Sequence, residues 1–285
     1  MPQRPRLKNV QDYRPSSAVL RLIRQSLAED LGGGDRTTDL LIASSARGQA
    51  GIVAREDGIF CGAPVISEIF KAAGGGDVRL EFPVREGGRF RKNATVVRLS
   101  GSVRSIVKGE RTALNFLARL SAIAVQTSRF VEAVKGYPVL ILDTRKTTPL
   151  WRELEKYAVR CGGGKNHRMG LYDAVFVKEN HRPYGDLSKL EKVRGHFEIE
   201  VRNQAELKEA LNYQPRVILF DNFTPSRLNR AVQLCRQMSP ETTLEASGGI
   251  TLENVAHYAA MGVDWISVGA LTHSVKAQDF SLLLK

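Results

Sequence analysis

Apolar and polar positions follow two different rhythms in this chain. Between about residues 17 and 104 an amphipathic segment, SSAVLRLIRQSLAED, leads into short alternating runs broken by glycine. GQAGIVAREDGIFCGAP, VRLEFPVREGGRF and ATVVRLSG read as strands and turns of an antiparallel sheet. A helix is predicted among them at about 64 to 73, so this half reads as an α+β layer. From Ser105 to Val134 apolar residues recur at helical spacing, which predicts one or two long helices.

Beyond that point apolar strands recur at PVLILD, AVFVKE, FEIEVR, RVILFD, TTLEASGG and WISVGAL. Helical patterns lie between most of them: TPLWRELEKYAVR, GDLSKLEKVRG, NQAELKEALNY, TPSRLNRAVQLCRQM and TLENVAHYAAMG. Strand and helix in alternation predict a parallel sheet with helices outside it. A β/α barrel and an open doubly wound sheet both satisfy that pattern. The polar residues favour the barrel, because Asp143, Lys178, Glu200, Asp221, Glu245 with Ser247, and Gly269 each end or nearly end a strand. In a barrel such ends converge on one face.

The chain has 285 residues, and 42 Lys plus Arg against 30 Asp plus Glu leave a formal charge of +12. That balance suits nucleic acid, an acidic membrane surface or anionic metabolites. Aromatics are only 7% and scattered, and no basic tail is present, which disfavours a nucleic-acid module. No apolar run approaches a membrane span, and the start lacks a secretory core, so a cytoplasmic protein is expected. Cys61, Cys161 and Cys235 are widely spaced without zinc-like spacing and are expected to be reduced structural thiols.

Chemistry concentrates between Asp143 and His181. Arg145, Lys146, Arg152, Lys156, Arg160, Lys165, Arg168 and Lys178 surround Gly162 to Gly164, with His167 among them. Arg145, His167, Arg168 and Lys178 suit carboxylates: arginine offers a planar fork, lysine a point charge and histidine a directed donor. Glu200 and Asp221 close successive strands in this basic setting and suit Mg2+ beside substrate phosphates. The Ser247-Gly248-Gly249 turn before a helix, and Gly269-Ala270 after the next strand, suit phosphate. P-loop, dinucleotide and serine-hydrolase motifs are missing from the sequence.

The segments DTRKTTP, EKYAVRCGGGKNHRMGLYDAVFVKENH, EIEV, DNF, LEASGGI and VGALTHS closely resemble the quinolinate phosphoribosyltransferase family. The resemblance runs back through GERTALNFLARLSAIA and EDLGGGDRTTDLL, and so covers nearly the whole chain in order. It implies an N-terminal α+β sandwich, about 1–117, and an incomplete barrel of about seven strands at 118–272, with 273–285 packing back on the first domain. It also implies a homodimer, or a multiple of dimers, with a shared active site.

The implied activity joins quinolinate to phosphoribosyl pyrophosphate with decarboxylation. Quinolinate would meet Arg145, His167, Arg168 and Lys178, with Arg111 reaching into the partner's site. Lys146 would serve the phosphoribosyl pyrophosphate, Glu200 and Asp221 its magnesium and ribose, and Ser247, Gly248, Gly249, Gly269 and Ala270 its 5′-phosphate. The competing substrate is nicotinate, a monocarboxylate; separate basic groups for two carboxylates favour quinolinate. A related protein encoded with molybdate transport genes tends to lose parts of GGGxNHR and KENH, which this chain keeps. One departure from the family is Leu150-Trp151, where glycine usually follows TTP.

Overall fold

A computed structural model describes residues 9–74, 76–193 and 195–285, and the chain divides into two compact units. One takes in the described residues up to Gln126, together with Thr148–Gly163 and Ser274–Lys285. The other takes in Thr127–Thr147 and Gly164–His273.

The first unit opens with α1 (Ser17–Leu31), started by the Ser16 hydroxyl, which accepts the Val19 N–H. Val19, Ile23 and Leu27, spaced by four, put one apolar stripe of this helix inside. Asp35 caps α2 (Arg36–Leu41) by accepting the Thr38 N–H at 2.9 Å. There follow β1 (Arg47–Ala54), β2 (Gly58–Ile59), α3 (Ala63–Gly74), β3 (Val78–Glu81), β4 (Arg89–Phe90) and β5 (Thr95–Ser102). The antiparallel sheet runs C-terminal strand (Phe280–Leu284), β1, β5, β3, with β2 and β4 as a separate pair. The long apolar pattern after it is one helix, α4 (Val103–Ala133).

α5 (Arg152–Cys161) belongs to this unit, and two buried glutamates organise its surroundings. Glu86 accepts the Gly62 and Ala63 N–H groups at 2.5 and 2.9 Å, so it caps α3, and burial raises its pKa. The Cys161 thiol donates to it at 3.8 Å. Glu155, on α5, accepts from Arg119 at 2.8 Å and from the N–H and hydroxyl of Thr148 at 3.1 and 2.9 Å. The end of the TTP segment is thereby tied to the helix that follows it.

The second unit is the alternating half of the sequence. Its strands are β6 (Leu140–Leu142), β7 (Val175–Val177), β8 (Phe197–Val201), β9 (Val217–Asp221), β10 (Thr243–Ser247) and β11 (Trp265–Ser267). Between and after them lie α6 (Gln204–Asn212), α7 (Pro225–Met238), α8 (Val255–Ala259) and α9 (Ala270–His273). All six strands are parallel, in the order β6-β11-β10-β9-β8-β7. A Leu142–Lys165 bridge extends the main chain beyond β6, so the strand following β6 is reduced to a single bridge. That is the order of an incomplete barrel.

Two helical expectations came out shorter. GDLSKLEKVRG forms a 3₁₀ helix, Leu187–Val193, in which Leu190 is the buried residue among those described. One buried side chain gives an α-helix no stripe to pack with. TLENVAHYAAMG keeps only the five residues of α8. Among the described residues no helix is long and apolar enough to cross a membrane.

Candidate active site

The site is built where the parallel strands end. β8 alternates Phe197, Ile199 and Val201 on one face with Glu198 and Glu200 on the other, and all five are buried. Parallel pairing sets Phe176 beside Glu198 on that same face. Further along, Ser247 stands level with Asp221 and with Ser267. Residues about twenty apart in sequence thus share one end of the sheet.

Buried Asp143, just after β6, organises the basic loop. It accepts the Asn166 amide at 2.5 Å and the His167 N–H at 2.8 Å. The Lys165 N–H donates to the Ile141 carbonyl at 2.8 Å, and the Asp143 N–H to the Lys165 carbonyl at 3.1 Å. Arg168, only 8% exposed, donates to the Ala174 carbonyl at 3.0 Å and lies over the Phe176 ring at 4.8 Å. Lys178 approaches the same ring at 5.0 Å and bonds Glu200 at 2.9 Å.

The electrostatics are unbalanced in two ways. Burial, and then the nearby Arg145 charge, lower the Arg168 pKa. The Arg145 Nε is buried with no hydrogen-bond partner among the described residues. Two guanidiniums held together suit an anion with two carboxylates. On the acidic side, burial and then Glu200 raise the Asp221 pKa above the usual carboxylate value. Two neighbouring carboxylates at the ends of adjacent strands suit a divalent cation.

The glycine turns follow the same strands. Asn222 adopts φ +55 and donates its N–H to the Ser247 carbonyl at 2.9 Å, which joins the DNF and SGG turns. Gly248 has φ +91, and a β-carbon there would run into the Asn222 amide. Lys146 is anchored from α9: the Thr272 hydroxyl donates to its carbonyl at 2.6 Å. A β-carbon on Gly269 would meet both the His273 ring and the Lys146 side chain at 3.0 to 3.1 Å, so those two groups flank this turn.

Of the residues expected at the site, Arg145, Lys146, His167, Arg168, Lys178, Glu200, Asp221, Ser247, Gly248, Gly249, Gly269 and Ala270 all lie in this unit. Arg111 lies exposed on α4 in the other unit. Sequence reasoning passed over Glu198, Asn166, Thr272 and His273. The period-two alternation of FEIEV was the signal for Glu198, which shares its face with Glu200. For Thr272 and His273 the signal was the polar THS directly after a glycine turn.

Two family models match the chain: the quinolinate phosphoribosyl transferase C-terminal domain over residues 123–283 and the corresponding N-terminal domain over 35–121. A probable nicotinate-nucleotide pyrophosphorylase (carboxylating) of Synechocystis is 42% identical, across 87% of this chain and 86% of its own. Quinolinate phosphoribosyltransferase (decarboxylating) 1 of Nicotiana glauca is 38% identical, across 94% of this chain and 83% of its own. The solved nicotinate-nucleotide pyrophosphorylase of Francisella tularensis superposes with a TM-score of 0.88 at 38% identity, covering 96% of this chain and 98% of that one. On this agreement of motif, fold and relatives, the chain belongs to the quinolinate phosphoribosyl transferase family.

Proposed function

We propose that this protein transfers the phosphoribosyl group of phosphoribosyl pyrophosphate to quinolinate, releasing pyrophosphate and carbon dioxide and leaving nicotinate mononucleotide. The observation that carries the reading is a pair of guanidiniums, Arg145 and Arg168, set in the same unit as the Glu200–Asp221 carboxylate pair. Quinolinate brings two carboxylates to the first pair. The names of the Synechocystis and Nicotiana relatives point the same way.

In this reading Arg145 and Arg168 take the quinolinate carboxylates, with Lys178 beside them and His167 in the same wall. Lys178 has three donors, so it can hold Glu200 and still offer an N–H to the substrate. The pyridine nitrogen attacks ribose C1 as pyrophosphate departs, and Glu200 and Asp221 stabilise the oxocarbenium-like charge at C1. Lys146 balances charge on the leaving group. The Ser247-Gly248-Gly249 and Gly269-Ala270 turns hold the 5′-phosphate through main-chain N–H groups. Decarboxylation follows from the positive ring nitrogen, so no covalent nucleophile is needed.

Glu200 and Asp221 are the residues that would hold magnesium, since two carboxylates on adjacent strand ends suit a divalent cation beside substrate phosphates. When bound, such an ion supplies charge neutralisation at the pyrophosphate oxygens. The protein is read as a cytoplasmic homodimer, or a multiple of dimers, with domains of about 1–117 and 118–272. Arg111 of each subunit completes the partner's quinolinate site.

Calorimetric titration of quinolinate tests the assignment. Arg145→Ala and Arg168→Ala should each lose about 1.5 to 3 kcal/mol, a roughly 10- to 150-fold weaker Kd. Wild-type affinity in both variants would remove the two arginines from the site.

A further inference from the structure

The sequence pattern casts His167 as a directed donor to quinolinate, but the surroundings of its ring give it a different task. Nδ1 accepts the main-chain N–H of Arg168 at 2.8 Å. A nitrogen that accepts an N–H carries no proton of its own, so the ring proton sits on Nε2. Nε2 lies 3.1 to 3.2 Å from the Glu198 carboxylate and 3.7 Å from that of Glu245. Those side chains are 7% and 0% exposed, and that of His167 is 9%. Ser267 donates to Glu245, fixing that carboxylate in turn. The two carboxylates favour a second proton on the ring, but on Nδ1 that proton would point at the Arg168 N–H, so the main chain works against them.

We infer that His167 is a positioning residue, held as the Nε2–H tautomer by Glu198, and that it serves quinolinate by fixing the main chain of Arg168. Glu198 is then a second positioning residue, acting on the pocket through His167. The chain of support runs from β8 through Glu198 and the imidazole to the Arg168 N–H. The Arg168 guanidinium, held at its far end by the Ala174 carbonyl and the Phe176 face, is thereby aimed into the anion site. Binding charge comes from Arg145, Arg168 and Lys178. This inference rests on the pocket taking quinolinate, but the tautomer does not.

The deciding experiment is long-range 1H–15N correlation NMR of the wild-type protein labelled at histidine, with and without saturating quinolinate. The chain has five histidines, and the spectrum of His167→Asn identifies the signal. The expected result is an Nε2–H ring pattern for His167 in both states. An Nδ1–H or imidazolium pattern in either state would overturn the inference. If quinolinate fails to bind at all, the substrate reading falls while the ligand-free spectrum still reads the tautomer.

Kinetics supply the second arm. Glu198→Leu should raise the quinolinate KM about tenfold, with kcat and the phosphoribosyl pyrophosphate KM within twofold of wild type. Glu198→Gln, which keeps an acceptor for the Nε2 proton, should recover most of that loss. A folded Glu198→Leu protein with an unchanged quinolinate KM would refute the role of Glu198.

Discussion

Leu150 holds a backbone conformation that its side chain disfavours. It has φ +66, and the residue is 82% exposed, so packing gives it little in return. Its neighbour Trp151 stacks on Phe116 at 4.5 Å, and Thr148 is bound by Glu155, which together impose the turn between them. The family usually has glycine at this position, the residue for which such a φ carries no steric cost. Leu150→Gly should therefore stabilise the protein by about 0.5 to 1 kcal/mol, the relief of strain less the added freedom of the unfolded chain. Urea unfolding checks this, and a loss of stability would mean that Leu150 packs usefully. At this scale the sequence displayed every charged residue expected at the site. Its partners were harder to see: Glu198 and Asn166 are ordinary polar letters until strand alternation and the Asp143 contacts bring them inward.

At the scale of elements, the glycine turns directly follow their strands, and Gly248 shows why glycine stands there. Its φ of +91 and its closeness to Asn222 exclude a β-carbon. Gly248→Ala should distort the joined DNF and SGG turns and weaken phosphoribosyl pyrophosphate binding by at least about tenfold, since each main-chain N–H lost to a charged phosphate costs about 1.5 kcal/mol or more. Quinolinate affinity should stay within about twofold, because the carboxylate groups sit on other loops. Equal binding of phosphoribosyl pyrophosphate by this variant would show that the turn is not the phosphate site. The strands β6 to β11 were legible as apolar runs ending in polar residues. Helix lengths were less so. The segment at Leu187–Val193 has helical spacing in its letters, but only Leu190 finds a core. Burial, which the pattern does not contain, decided its form.

For the whole molecule, the alternation of strand and helix predicted a parallel sheet, and pairing showed how far it extends: six strands, open between β6 and β7 among the described residues. The seventh strand is a single bridge at Lys165 because the chain there is GGGKNHR, which follows β6 only far enough to place the basic loop. The sharing of active sites between subunits is a proposal with a direct consequence. In a mixed dimer Arg111→Ala of one subunit and Arg168→Ala of the other fall in the same site, so the second site is intact. Assayed at a quinolinate concentration too low for either variant alone, the mixed proteins under subunit exchange should recover about a quarter of wild-type activity. No recovery, with mixed dimers verified by mass, would place Arg111 in the site of its own subunit or outside it.

Turnover is the decisive measurement of the reaction. Purified protein would be given phosphoribosyl pyrophosphate, magnesium and quinolinate labelled at the carboxylate next to the ring nitrogen, with nicotinate in a parallel reaction. Nicotinate mononucleotide and labelled carbon dioxide should form in equal amounts from quinolinate, with no product from nicotinate. Product from nicotinate without any from quinolinate would contradict the proposed reaction.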